Sequence, residues 1–328
     1  MNKNIIWIFV IALLAGCSSP EPVKLSGVAQ GTYYAITYYD DKQRNFKKPI
    51  DSLLADFDKT ASVYEPSSVI SKVNKNEPCQ LNDTFIEIFR KGMDVSAKTA
   101  GKFDMTVMPL VNAWGFGFET RQKLDSAKVD SILDFVGYEK IALQDNKIVK
   151  EDPQVELDFN SIAQGYSVDL LADYLESKGI KRYLIDIGGE VYANGKKPGG
   201  GFWKVGIEKP AHNRDDARKV KAILALRNKA LATSGSYRKY YESEGVRYSH
   251  TIDPETGFPV QHSLLSASVL ADDAVTADAY ATAFMVMGLE ASKAFIKENP
   301  DLEAYFIFSD RDGKLKTDFT EGIRKLLY

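Results

Sequence analysis

Segments with helical periodicity and segments with strand periodicity follow one another along this chain without strict alternation. That order constrains the fold more than any single motif. Residues 83–100 place Phe85, Ile88, Phe89, Met93, Ala97 and Ala100 on one helical stripe, and Gly101 ends it. Residues 125–136 read as a short helix. Residues 162–177 form another, with Ala163, Tyr166, Leu170 and Tyr174 on one face and Gly179 closing it. A helix of small residues spans 274–287, and a short helix ends the chain. Strands are expected at 31–39, 155–159 and 182–187, the last stopping at Gly188-Gly189. Further strands are expected at 203–207, 220–226, 246–252, 265–271 and 303–308. A regular βα alternation would favour a doubly wound parallel sheet. This mixed order predicts an α+β fold, with mixed, largely antiparallel sheets flanked by helices. The glycine-rich stretch 195–201 is the best candidate for a subdomain boundary, yet residues 25–328 read as one compact unit.

The N-terminus has a different character. Lys3 precedes an uncharged apolar run from Ile5 to Ala15. About 20 residues are needed to span a bilayer, so this run suits a signal peptide at 1–16. It ends in Leu14-Ala15-Gly16-Cys17, the pattern of a bacterial lipobox. The expectation is a lipidated Cys17 and a short tether over 17–24 containing Pro20 and Pro22. The domain would then be lipid-anchored in the cell envelope, on the non-cytoplasmic side of a bacterial membrane. Once Cys17 is acylated, Cys79 is the single cysteine left, so no internal disulfide forms and stability must come from packing. The net charge of −3 gives no electrostatic footprint for nucleic acid. His212, His250 and His262 show no zinc-type spacing with cysteine.

Four segments could carry chemistry. On the 274–287 helix, Asp278 and Thr282 are four apart and share a face. A carboxylate and a hydroxyl suit a hard cation such as Mg²⁺, which takes oxygen ligands and substrate phosphates. An Asp favoured by the helix dipole, with Thr282 bonding back to a carbonyl, accounts for the same pair. In the second segment His250 ends a strand before the turn Asp253-Pro254-Glu255-Thr256-Gly257, with Tyr248 and Ile252 on its face. That place suits a general base, or a structural histidine. The third, Thr233-Ser234-Gly235-Ser236, reads as an anion-binding nest or an everyday turn. The fourth, Asp158 to Tyr166, brings a strand into a helix start where backbone groups are unpaired. An Asx turn with a Ser N-cap reads equally well. No dinucleotide fingerprint is present.

Taken in order, these segments resemble the ApbE family of FAD:protein FMN transferases. The resemblance extends over roughly residues 25–325. It also includes Gly31-Thr32, Tyr64 within 61–65, Gly101-Lys102-Phe103-Asp104 with Thr106 and Pro109-Leu110, Trp114 to Gly117, and Asp186 to Gly189. It implies Mg²⁺-dependent transfer of the FMN half of FAD to a Thr or Ser hydroxyl of a target protein, with release of AMP. It further implies His250 as catalytic base and Asp278, Thr282 and the Ala163 carbonyl as metal ligands. FAD would contact Gln30, Tyr64, Lys102, Phe103, Asp104, Asp158, Thr233, Ser234 and Gly235, with Tyr64 as the platform for the isoalloxazine ring. The acceptor would be a subunit of a membrane redox complex. The chain departs from many relatives at Gln30, where Met is common beside the flavin, and at Gln164, where Lys is common. Two other readings use the same residues. An FAD pyrophosphatase would release FMN and AMP without an acceptor, and a non-catalytic flavin-binding lipoprotein would release neither.

Overall fold

The computed structural model describes residues 20–117, 124–210, 219–236, 240–243 and 246–328, with backbone alone at 240–243 and 246–248. The expected signal peptide and Cys17 lie outside the described residues. The strands are β1 (Val23–Ala29), β2 (Thr32–Tyr38), β3 (Ile141–Gln144), β4 (Lys147–Lys150), β5 (Tyr183–Ile187), β6 (Glu190–Asn194) and β7 (Trp203–Glu208). They continue with β8 (Val220–Leu226), β9 (Lys229–Gly235), β10 (Tyr240–Ser243), β11 (Val246–Ser249), β12 (Leu264–Ala271), β13 (Glu303–Ser309) and β14 (Leu315–Phe319). The helices are α1 (Lys47–Ala61), α2 (Val69–Asn74), α3 (Asp83–Lys98), α4 (Met108–Ala113) and α5 (Ser126–Leu133). After them come α6 (Ala163–Ser177), α7 (Ala274–Met287), α8 (Leu289–Glu298) and α9 (Glu321–Leu326).

Among the described residues, the main sheet has eight strands in the order β1-β2-β5-β6-β9-β12-β13-β14. Every pairing in it is antiparallel. This is the expected α+β architecture. Its two faces follow from strand alternation, because successive side chains point to opposite sides. Ala230, Ala232, Val269 and Phe306 join the core beneath α1, α3, α6 and α7. Leu231, Leu270, Tyr305 and Ile307 point the other way, against the β7–β8 hairpin and α9. That second layer is held by side chains such as Trp203, Leu224, Leu226 and Ile323. Each fully buried aliphatic contributes about 1.5–3 kcal/mol. The hairpin is therefore anchored without a strand ladder to the main sheet.

α7 is buried nearly all round, since its small residues pack on α6, β9 and β12 together. Gln30 and Gly31 form the two-residue β1–β2 turn with φ of 53° and 70°. Both are left-handed, as this tight hairpin requires.

Several expected boundaries change. Val23 and Lys24, expected in the tether, pair with Tyr38 and Thr37 in β1. The expected strand at 155–159 is an extended segment with one bridge, Glu156 to Val107. The Asn74 side chain takes the Leu157 N–H and C=O at 2.8 Å each, and Asp158 N–H goes to the Met105 carbonyl. These partners replace a ladder. The nest or turn read at 233–236 is mostly strand: Thr233 to Gly235 end β9 and pair with β12. The strand expected at 246–252 ends at Ser249.

Candidate active site

The sheet strands end together on one edge, and the residues singled out from the sequence gather there. A cavity of about 1120 Å³ opens along this edge. Gln30, Tyr64, Lys102, Phe103, Asp104, Asp158, Ala163, Thr233, Ser234, Gly235, His250, Asp278 and Thr282 all reach its wall. So does Gln164.

One group of the cavity wall is Asp278 on α7. It is buried, and Gly165 N–H donates to its Oδ2 at 2.9 Å. Gly165 lies in the first turn of α6, where a Cβ would fall 2.3 Å from the Ala274 carbonyl oxygen and 2.7 Å from Asp278 Cβ. Only a glycine lets α6 and α7 approach this closely. Burial pushes the Asp278 carboxyl up to about 7, and the Gly165 N–H offsets this in part. One turn along α7, Thr282 Oγ1 lies 3.2 Å from Ser234 Oγ on β9. Thr282 thus meets a hydroxyl across the cavity edge rather than bonding back along its own helix. The N-terminal role suggested for Asp278 belongs instead to Asp273, which accepts from Thr276 N–H at 2.7 Å.

These groups suit a hard cation. No trio of His, Cys, Asp or Glu gathers around a common point among the described residues. One buried carboxylate, two hydroxyls and the start of α6 at Ala163 give an incomplete oxygen set. A Mg²⁺ ion completes such a set with water and phosphate. The buried Asp278 charge, opposed by one backbone N–H, supplies the electrostatic reason to hold a cation there.

Sequence reading missed Asp169. Its two carboxylate oxygens accept from Ala274 N–H and Val275 N–H, each at 2.8 Å. α6 therefore grips the N-terminus of α7 at two levels, through Gly165 and Asp169. The four-residue spacing places these two on one helix face and is the signal that could have found the pair. Burial pushes the Asp169 carboxyl up to about 7, against the two N–H bonds.

His250 follows β11, and its ring meets Phe116 edge-on at 6.3 Å. The turn behind it is pinned from two sides. Trp114 Nε1 donates to the Gly257 carbonyl at 2.8 Å, and Lys102 Nζ lies 2.7 Å from Glu255 and 3.2 Å from Asp253. Burial works against the Lys102 charge, but Glu255 and Asp253 outweigh it and hold its pKa above the ordinary value. Lys102 thus braces the His250 turn from the cavity wall.

Asp104 is engaged by Thr106 N–H, Thr106 Oγ1 and Tyr138 N–H, each at 2.7 Å. Its carboxylate ties two loops together, and Phe103 beside it is buried. Asp158 accepts from Asn160 N–H at 2.8 Å, which is the Asx turn. Ser161 is not the N-cap of α6; Ile162 holds that place without a side-chain bond. Tyr64 is 63% exposed and presents its ring at the mouth. Thr233 Oγ1 lies 2.7 Å from Ser268 Oγ.

The sequence model of the ApbE family matches residues 30–306. This chain belongs to the ApbE family. A Vibrio cholerae protein named FAD:protein FMN transferase is 38% identical, over 89% of this chain and 91% of its own length. One of the same name from Haemophilus influenzae is 36% identical, over 99% of each chain. The solved flavin transferase ApbE from Vibrio cholerae superposes with a TM-score of 0.82 at 34% identity, over 94% of this chain and 99% of that one. The Pseudomonas stutzeri flavinyl transferase ApbE in its apo form gives 0.84 at 31%, over 94% and 98%. The family match at 30–306 takes in every cavity residue named above, from Gln30 to Thr282.

Proposed function

We propose that this chain is an FAD:protein FMN transferase that moves the FMN half of FAD onto a Thr or Ser hydroxyl of a target protein and releases AMP. The observation that carries the reading is the meeting of Asp278, Thr282, Ala163 and His250 in one cavity large enough for a dinucleotide. Names of relatives with over 30% identity across most of the chain support it.

The reaction is a displacement at the FMN phosphorus. The acceptor oxygen forms a bond to that phosphorus, and the bond from phosphorus to the oxygen of the AMP phosphate breaks. A Thr hydroxyl is a weak nucleophile at neutral pH, so its proton needs an acceptor. His250, at the cavity wall, takes it. Asp278, Thr282 and the Ala163 carbonyl would hold Mg²⁺, which would supply charge neutralisation at the pyrophosphate. Tyr64 stacks on the isoalloxazine ring at the mouth. Ser234, beside Thr282, orients phosphate oxygens. Asp158 and Thr233 bound the ribose and adenine region, while Lys102 and Asp104 hold the surrounding loops.

The test is incubation with FAD, Mg²⁺ and a candidate acceptor subunit of a membrane redox complex. The expected result is an FMN mass gain on a Thr or Ser, with one AMP per adduct. AMP and free FMN released at the same rate with no acceptor would identify a pyrophosphatase instead. FAD binding with neither product would leave only a flavin carrier.

Lipidation at Cys17 completes the proposal. The lipobox-like Leu14-Ala15-Gly16-Cys17 supports it, and the anchor places the enzyme in the envelope on the non-cytoplasmic side. Among the described residues no helix is long and apolar enough to cross a membrane.

A further inference from the structure

A transferase of this kind must seat a polypeptide as well as FAD, and the fold offers a place for one. The cavity, at about 1120 Å³, exceeds the roughly 300–1,000 Å³ usual for a small-molecule site. It continues past the catalytic edge to β7. Lys204, Val205, Gly206 and Glu208 line it, and no residue of β8 does. The side of β7 turned away from β8 therefore faces the cavity. Among the described residues β7 pairs with β8 alone. Alternate N–H and C=O groups of an antiparallel strand point away from its partner, so β7 offers a row of backbone donors and acceptors to the cavity. Leu184 and Asp186 of β5 form the opposite wall.

The groove has a direction. Trp203 Nε1 donates to the Asn194 and Gly195 carbonyls at 3.1 Å each, at the end of β6 remote from Gly188-Gly189. β7 thus starts at the far edge of the main sheet and runs toward the catalytic edge, where Glu208 ends it. Its buried residues, Trp203, Val205 and Ile207, fix it to the second-face core.

We propose that the open edge of β7 receives the acceptor protein as an added β-strand, with the modified Thr or Ser lying just beyond Glu208 at the pyrophosphate. Main-chain pairing gives the affinity, and the acceptor contributes an extended segment. This rests on the transferase reading and adds how the acceptor is held.

The test uses the full chain in detergent with FAD, Mg²⁺ and a pool of twelve-residue peptides randomised around a central Thr. FMN mass gain on the Thr is the readout. The same peptides N-methylated at alternate residues flanking the Thr cannot donate to a strand edge, and they leave the enzyme untouched. Their labelling should fall about 10-fold or more through KM, as expected for a few lost hydrogen bonds. In the parent chain, amides of 203–208 should exchange more slowly when a labelled peptide sequence is added. Unchanged labelling of the N-methylated peptides with unchanged exchange at 203–208 overturns the proposal. Slower exchange at 203–208 with FAD alone also overturns it, since the groove would then belong to the nucleotide. FAD binding without labelling of any peptide by the parent overturns it too, because a strand groove needs only an extended segment. Failure of the parent to bind FAD refutes the transferase reading instead.

Discussion

At the scale of single residues, buried Asp278 and half-buried Asp169 have separate duties. Asp278 faces the cavity, and Asp169 lies behind it, holding the helix that carries Asp278. Replacing Asp278 by Ala should abolish Mg²⁺-dependent AMP release while far-ultraviolet circular dichroism stays native; retained Mg²⁺-dependent turnover would refute the metal assignment. His250→Ala should slow transfer by ~10²–10⁴-fold and leave FAD affinity intact, as read by flavin fluorescence titration. Asp169 makes a pH prediction. Its carboxyl is pushed up from 3.8 to about 7 in the folded chain. Between those values the folded state keeps a proton that the unfolded state releases, so this group's contribution to stability falls as pH rises. Asp169→Asn removes that titration at the cost of one acceptor oxygen. The Tm of the variant minus that of the parent should therefore rise between about pH 4 and pH 7 and level off above. A difference independent of pH would place the Asp169 proton elsewhere.

At the scale of elements, the contact between α6 and α7 positions Asp278 and Thr282, the proposed metal ligands. It depends on Gly165, because α7 presents a backbone carbonyl where a side chain would go. Gly165→Ala should destabilise the fold by about 1–3 kcal/mol through overpacking. It should also weaken Mg²⁺ dependence more than FAD binding, since the displaced helix carries Asp278 and Thr282. Urea unfolding and a Mg²⁺ titration of AMP release would measure the two effects. The same elements divide what was legible in the sequence from what was not. α3, α6 and α7 carry clear helical stripes or small-residue runs with end signals, and their bounds fall within a few residues of expectation. β9 was hidden because Thr233-Ser234-Gly235 has the composition of a turn, and only pairing to β12 makes it a strand. Residues 155–159 have strand-like alternation, yet the Asn74 side chain takes their backbone groups. Such competition is invisible along the chain.

At the scale of the whole molecule, one sheet carries two layers and one working edge. The lipid anchor expected at Cys17 would hold that edge near membrane-embedded acceptors and raise their effective concentration. Cys17→Ser should move the protein from the membrane fraction to the soluble fraction and remove fatty-acid labelling. Transfer by the purified, detergent-dispersed variant should match the parent. A membrane-bound variant would point to a retained signal segment as the anchor. The placement also requires FAD on the non-cytoplasmic side.

The sequence by itself determined the α+β class, the helices that carry Ala163, Asp278 and Thr282, and the residues whose chemistry suits a pyrophosphate and a cation. Those are properties of local periodicity and side-chain type, which a linear reading retains. Only the tertiary structure decided how those residues work together. It gave Lys102 to the turn behind His250, Asp104 to the loops at Thr106 and Tyr138, and Asp169 to the start of α7. It also brought β7 to the cavity wall. The Asp104 and Asp169 contacts depend on which backbone donors remain unpaired once distant segments have packed, and the Lys102 contact on which carboxylates those segments bring to it; both are settled by the three-dimensional arrangement of the sheet and its two layers.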